Sequence, residues 1–235
     1  MPYKHFFFDM DATLAPSRQP ILPEMFDLVS SLKRDIIIAS GQSNDKIAWQ
    51  SNNLPAIHLG QNGNQAEDLD GTKLWTEPLS EAERAEIMAH IEKIITLLPE
   101  TPNPDWNPVE DRGAQITFSP IGNTAPVEAK MHYDPDREKR TALLKAVPFV
   151  SDTLAVKFGG STSLDYFPAK RNKGYNVERL INLKDWNKDE CIYFGDGLFP
   201  GGNDESVIGV IETVPVSDHL DTYQKLKTLI QEEDS

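Results

Sequence analysis

Asp9 and Asp11 stand two positions apart directly after the apolar run Phe6-Phe7-Phe8; far along the chain Asp196 follows Ile192-Tyr193-Phe194-Gly195, with Gly202-Asn203-Asp204 shortly beyond. A run of aromatic or β-branched residues that stops at carboxylates reads as a buried parallel strand whose carboxyl end opens into a site, where open α/β sheets place their chemistry. Two such strand ends would bring Asp9, Asp11, Asp196 and Asp204 around one point. Carboxylates that close repel one another, and oxygen-only ligands of this kind suit Mg²⁺ as the neutralising ion.

A carboxylate that attacks phosphorus must be ionised, held in line with the leaving oxygen, and relieved of its repulsion for the incoming dianion. Asp9 fits that role. The chain returns to the same side of the turn two residues later, so Asp11 fits the acid/base that protonates the leaving oxygen and takes a proton from the next acceptor. Taken alone, Asp-x-Asp after an apolar run also describes an ordinary strand-ending turn. Ser40 and Gly41 close a second run, Ile36-Ile37-Ile38-Ala39, and would offer a phosphoryl oxygen a hydroxyl and a backbone N–H. Lys173, in Lys170-Arg171-Asn172-Lys173-Gly174, precedes a helical pattern, where an ammonium would offset charge on Asp9 and on the group in transfer. Asp196 completes the metal site, and Asp204 joins it or orients Lys173 or a metal-bound water.

The elements that must position these groups follow from periodicity. Strands are predicted at His5 to Asp9, Asp35 to Ser40, Leu154 to Phe158, Ser163 to Phe167, Glu190 to Asp196 and Val210 to Val216. Helices are predicted at Ile21 to Lys33, Ser80 to Leu98, Asp134 to Val147, Gly174 to Leu183 and His219 to Ile230. Ser80 and Glu83 supply a capping box for the second of these. Strand and helix alternate at both ends of the chain, which argues for an α/β fold with a doubly wound, Rossmann-like parallel-sheet core. The middle, with a strand at Gln115 to Ser119, a proline-rich surface loop from Pro99 to Pro108 and a turn at Gly159-Gly160, reads as an inserted α+β cap. The predicted division is a catalytic core of residues 1–74 and 169–235 and a cap of residues 75–168.

Composition excludes several partner classes. The chain has 235 residues with 23 basic and 37 acidic side chains, a net charge of −14, which repels nucleic acid and anionic membranes and leaves phosphate capture to a local cluster. With one cysteine, Cys191, neither an intrachain disulfide nor a thiolate metal site is available. No apolar stretch is long enough for a membrane span and no secretory signal is evident, so a cytoplasmic enzyme is expected. Trp49, Trp75, Trp106 and Trp186 read as packing or loop anchors, and the stretch around His58 as a hinge or turn.

Four pieces in this order, Asp9-x-Asp11-x-Thr13, Ser40, Lys173, and Gly195-Asp196 with Gly202-Asn203-Asp204, resemble the haloacid dehalogenase superfamily of aspartyl-phosphate enzymes, in its capped branch. Thr13 to Gln19, Ser119-Pro120-Ile121-Gly122, Gly159 to Pro168 and Phe199 to Asp204 are similar to eukaryotic-type phosphomannomutases. The resemblance implies that Asp9, Asp196 and the backbone carbonyl of Asp11 hold Mg²⁺. It also implies that Arg18, Arg112, Ser163 and Asp165 contact a hexose phosphate, and that the chain dimerises through the cap. Two cap arginines of the family are absent: Asn123 replaces one and Lys130 stands near the other, and Ala12 replaces a glycine between Asp11 and Thr13. Asparagine loses both charge and fork geometry, and lysine loses the fork.

The reading is a Mg²⁺-dependent phosphoryl transfer of phosphomannomutase type, between mannose 6-phosphate and mannose 1-phosphate, with a hexose bisphosphate as activator if a mutase. The alternative is a sugar-phosphate phosphatase on the same scaffold. A phosphosugar-binding protein without turnover finds no support, because both carboxylates of the first motif, the lysine and the late aspartates are all present.

Overall fold

A computed structural model describes residues 3–159 and 161–233. In chain order its elements are β1 (His5–Phe8), α1 (Pro23–Ser31), β2 (Asp35–Ala39), α2 (Asn44–Gln50), β3 (Ile57–Gly60), β4 (Gln65–Glu67), β5 (Lys73–Thr76), α3 (Glu81–Ile95), β6 (Val109–Asp111), β7 (Ile116–Phe118), α4 (Val127–Tyr133), α5 (Glu138–Ala146), β8 (Leu154–Gly159), β9 (Ser163–Pro168), α6 (Lys173–Leu183), β10 (Cys191–Gly195), β11 (Glu212–Pro215) and α7 (His219–Glu233). They fall into two compact units, one running to Thr76 and resuming at Arg171, the other Glu77–Lys170.

The first unit is built on a seven-stranded sheet in the order β11-β10-β1-β2-β3-β4-β5. The five strands from β11 to β3 are parallel, and β4 and β5 extend the edge antiparallel. Side chains alternate across the pleat. Phe6, Phe8, Ile36, Ile38, Ile192 and Phe194 enter one core with Met25 and Val29 of α1, Ile47 of α2 and Leu226 of α7. Phe7, Ile37, Ala39, Cys191 and Tyr193 enter the opposite core with Val177, Leu180 and Ile181 of α6. Helices therefore cover both faces, as doubly wound sheets require. From β1 the chain winds through β2 to β3 on one side, while β10 and β11 lie on the other, so the winding reverses between β1 and β10. Asp9 and Asp196 are the first residues past those two strands, at the crevice where such sheets bind ligands.

The second unit packs helices on a four-stranded antiparallel sheet, β6-β7-β9-β8. Ile87, Ile91 and Ile94 of α3 meet Ile116, Phe118, Leu164 and Tyr166. The predicted box caps α3: Ser80 Oγ accepts from the Glu83 amide at 3.2 Å, and Glu83 Oε2 accepts from the Ser80 amide at 2.7 Å. Arg140 is fully buried on α5. Its Nε donates to Asp134 at 2.6 Å, and its Nη1 donates to the carbonyls of Gly159 and Ser163 at 3.1 and 2.9 Å, tying the helix to the β8–β9 turn.

Several elements depart from the sequence expectations. The helix expected from Asp134 begins at Glu138, because the Asp134 carboxylate turns back to accept from the Lys139 amide at 2.8 Å. His58 itself lies within β3, and the polar, glycine-containing stretch that follows it turns at residues 61–64, as expected. β3, β4, β5, α2, β6 and α4 were not foreseen: β4 buries only Ala66, and α2 buries Asn44 and Gln50 while Trp49 is exposed, so neither shows an apolar stripe. The Pro99 to Pro108 stretch holds a single 3₁₀ turn, Pro104–Trp106. Trp75 is buried and donates from its indole to the Gly63 carbonyl at 2.7 Å. Gly160, of the expected glycine turn, lies outside the described residues. No described helix is long and apolar enough to cross a membrane.

Arg140→Ala would leave Asp134 buried without its cation, and a loss of about 3–5 kcal/mol is expected in denaturant unfolding of the second unit. A loss below about 1 kcal/mol would contradict a structural role for the pair.

Candidate active site

Asp9 is fixed first by backbone: its amide donates to the Phe194 carbonyl at 2.9 Å, locking the end of β1 to β10. The residue is only 4% exposed. Oδ1 accepts from Lys173 Nζ at 2.9 Å, and Oδ2 accepts from Asn203 Nδ2 at 3.2 Å.

Lys173 is the first residue of α6, which Asn172 caps by accepting from the Tyr175 amide at 3.0 Å. Gly174 lets that helix end approach the loop behind it, since a Cβ there would meet the Ser206 carbonyl oxygen at 1.8 Å. The buried ammonium also donates to Asp204 Oδ1 at 2.6 Å. Asp204 is filled by donors on both oxygens: Oδ1 also accepts from Tyr193 Oη at 2.7 Å, and Oδ2 from the Gly197 amide at 3.1 Å. Asp196 is tied to the first loop by its amide, which donates to Thr13 Oγ1 at 3.1 Å.

Asp9, Asp196 and Asp204 each present a carboxylate oxygen within 4.8 Å of the others. At that spacing each like-charged pair repels by roughly 3 kcal/mol at an effective dielectric constant of about 20. Burial, and then the Asp204 and Asp196 carboxylates, push the Asp9 carboxyl up to about 7 against the pull of Lys173. Burial and Asp204 raise Asp196 as well. Burial alone would lower the Lys173 ammonium; Asp204 and Asp9 more than reverse this, so it stays charged. Three carboxylates against one ammonium leave two negative charges among hard oxygen donors, which fits a small divalent cation such as Mg²⁺. Asp9 and Asp196 have the oxygens to hold it. Asp204, grouped with the ligands from sequence, stands in the same cluster; its Oδ1 accepts from Lys173 and Tyr193 and its Oδ2 from the Gly197 amide, so it also orients the lysine.

Asp11 is expected to offer the metal its backbone carbonyl, which leaves its carboxylate free for other partners. Among the described residues its carboxylate is outside the acidic cluster, because three N–H donors claim it: Oδ1 accepts from the Arg18 amide at 2.5 Å and Gln50 Nε2 at 2.8 Å, and Oδ2 from Gln42 Nε2 at 2.8 Å. Neither glutamine was singled out from sequence. The signal was present in α2 for Gln50, since two of that helix's three buried positions, Asn44 and Gln50, are polar. Ala12, beside Asp11, has φ +59°, a left-handed conformation in which its Cβ is strained. Ser40 is 2% exposed, with its amide donating to the Leu59 carbonyl at 3.0 Å and its Oγ accepting from the Gln42 amide at 3.2 Å. The Arg18 side chain is exposed.

The remaining expected residues lie in the second unit. Arg112 donates from Nη2 to Glu110 at 2.7 Å, and its buried Nε has no hydrogen-bond partner. Ser163 Oγ donates to the Gly159 carbonyl at 2.7 Å. Asp165 sits on β9 between Thr117 of β7 and Lys157 of β8, so close to Gly159 that a Cβ there would lie 2.3 Å from its carboxylate. Asn123 and Lys130, expected to face substrate, are instead bound into their own loop. Asn123 Nδ2 donates to the carbonyls of Asn107, Pro108 and Thr117 at 3.0, 3.2 and 3.2 Å. Lys130, buried on α4, donates to the Asn123 carbonyl.

The eukaryotic phosphomannomutase family matches residues 65–232. A probable phosphomannomutase of Caenorhabditis elegans is 28% identical over 249 aligned residues, covering 97% of this chain and 95% of that protein. The phosphomannomutase of Triticum aestivum is 26% identical over 242, covering 96% and 95%. Among solved structures, a haloacid dehalogenase-like hydrolase from Bacteroides thetaiotaomicron superposes with a TM-score of 0.67 at 13% identity, over 97% of this chain and 99% of that one. IMP-bound, N-terminally truncated IMP-nucleotidase of Plasmodium falciparum gives 0.68 at 17% identity, over 97% and 68%. These two likenesses show a shared fold.

Because the folded Asp9 pKa is raised, the metal-free protein binds more protons than the unfolded chain between about pH 4 and 7, so this group's contribution to stability falls as pH rises through that window. A bound divalent cation removes the penalty. The rise in Tm on adding Mg²⁺ should therefore be larger at about pH 7.5 than at about pH 5; an equal or smaller rise would count against the cluster as a metal site. Ala12→Gly should add about 1 kcal/mol in urea unfolding by relieving the left-handed strain, and a loss of stability would contradict it.

Proposed function

The chain belongs to the eukaryotic phosphomannomutase family and is an enzyme of the phosphosugar mutase or phosphatase kind, and on that premise we propose that it moves the phosphoryl group of a hexose phosphate through an aspartyl phosphate on Asp9. The observation that carries this reading is the buried Asp9 carboxylate bonded to Lys173 with two further carboxylates within 4.8 Å. Mg²⁺, held by Asp9 and Asp196, would supply charge neutralisation for the phosphoryl oxygens. A bond forms between an Asp9 oxygen and phosphorus while the bond from phosphorus to the sugar oxygen breaks. The electron pair passes to the sugar oxygen, which takes a proton from Asp11. Lys173 stabilises charge on the transferring group and is itself aimed by Asp204. In the second half the acceptor oxygen gives its proton back to Asp11 and bonds to phosphorus as the bond from phosphorus to Asp9 breaks, its electron pair returning to the Asp9 carboxylate.

The acceptor separates the two members of the class. In the mutase reading it is a second hydroxyl of the sugar, interconverting mannose 6-phosphate and mannose 1-phosphate, as the names of the relatives suggest, with a hexose bisphosphate as activator. In the phosphatase reading it is water. The second unit favours the latter on one point: Asn123 spends its amide on three carbonyls and Lys130 is directed at the Asn123 carbonyl. A mutase must grip a second phosphate, and a fork-shaped cation is the group suited to that grip. Arg112, already paired with Glu110, is the one forked cation among the second-unit residues expected to touch substrate.

Incubation with Mg²⁺ and mannose 1-phosphate, with and without a catalytic amount of hexose 1,6-bisphosphate, should yield mannose 6-phosphate, free phosphate, or both. Isomer without matching phosphate release establishes the mutase, and phosphate alone the phosphatase. Turnover of no phosphosugar in a wider panel would overturn the proposal.

A further inference from the structure

Asp11 must exchange a proton with the sugar oxygen in the reaction proposed above, and the structure restricts where on the carboxylate that proton can sit. Oδ1 accepts two hydrogen bonds, from the Arg18 amide at 2.5 Å and Gln50 Nε2 at 2.8 Å, which use both of its lone pairs. Oδ2 accepts one, from Gln42 Nε2 at 2.8 Å, and keeps one lone pair. The second hydrogen of the Gln42 amide goes to Gln50 Oε1 at 2.7 Å. Asp11, Gln42 and Gln50 thus close a three-membered ring in which both hydrogens of the Gln42 amide and one of the Gln50 amide have acceptors.

The ring also fixes its own orientation. A carboxylate accepts only, so flipping either amide would set carbonyl oxygen against carboxylate oxygen. Gln50 has no exposed surface and Gln42 is half-buried, so at Gln50 solvent cannot take over the donor's place. Turning the Asp11 carboxyl about its own bond would break three hydrogen bonds at once.

We propose that Gln42 and Gln50 are positioning residues for the acid/base, which act by reserving the remaining lone pair of Asp11 Oδ2 for the proton passed to and from the sugar oxygen. The inference rests on the aspartyl-phosphate reading. It adds to that reading two residues from α2 and the loop before it, and it names the atom that carries the proton.

The test compares leaving groups in the full-length protein. A sugar oxygen needs a proton as its bond to phosphorus breaks, whereas p-nitrophenolate departs without one. Gln42→Met and Gln50→Met keep side-chain length and remove the N–H donors. With the sugar phosphate turned over in the product assay, each should slow phosphoenzyme formation about tenfold or more, with KM changed less than about twofold. The p-nitrophenolate burst from p-nitrophenyl phosphate should slow less than about threefold. Equal losses with both substrates would assign the ring a purely structural role, and no loss with the sugar would remove it from the mechanism; either overturns the inference. Should buried Gln50→Met fail to fold, half-buried Gln42→Met carries the comparison. Absence of a phosphoenzyme from either substrate in the unsubstituted protein would overturn the underlying reading instead, so the two failures are distinguishable.

Discussion

The structure of the first unit is organised around one electrostatic demand: several carboxylates must share a small buried volume with a single ammonium. Burying Asp9, Asp204 and most of Asp196 beside Lys173 is unfavourable for the apo protein, as the upward displacement of Asp9 to about 7 records. An arrangement of this kind persists only where the fold over-determines it. Here the determinants are visible: the Asp9 amide on β10, the Asn172 cap that starts α6 at Lys173, the glycine contact behind that helix, and three donors that hold Asp204 in place. A divalent cation bound there would relieve the stored repulsion, couple metal binding to stability and favour the ionised form of Asp9 that the proposed attack requires.

The sheet supplies the geometry that makes this possible. Reversal of winding between β1 and β10 leaves a crevice at their carboxyl ends, and the aromatic residues of both strands anchor it from opposite cores. The two acidic groups therefore inherit the rigidity of neighbouring central strands. Asp11, one turn further out, lacks strand support and is held by amides from outside the strand. A reactive group on a loop thus gains precision from side-chain hydrogen bonds where the backbone ladder ends.

Much of the site was legible in the sequence because strand ends carry a distinctive signature. Asp9 and Asp196 could be read from apolar runs that stop at carboxylates, and Lys173 from its place at a helix start. The α3 capping box was equally plain. What escaped was encoded in departures from simple periodicity. α2 hides Asn44 and Gln50 beside Ile47 on its inward face, which breaks the apolar stripe, and of these Gln50 holds Asp11 while Asn44 accepts from the Gly60 amide. β4 and β5 are too short and too polar at their exposed positions to register as strands. The inward turn of Asn123 and Lys130 is a matter of side-chain direction, set by three nearby carbonyls that come together only in the folded loop. Ala12 shows the reverse case: its substitution for glycine was readable, but the positive φ that makes it costly was not.

The central claim is that phosphorus passes through a covalent bond to Asp9. The most direct measurement is to mix the protein and Mg²⁺ with a ³²P-labelled sugar phosphate, quench in acid within the turnover time, and map the labelled peptide. The account predicts an acyl phosphate on the peptide containing Asp9, released by hydroxylamine and absent from Asp9→Asn. Label on a serine or histidine, or full turnover by Asp9→Asn, would contradict it.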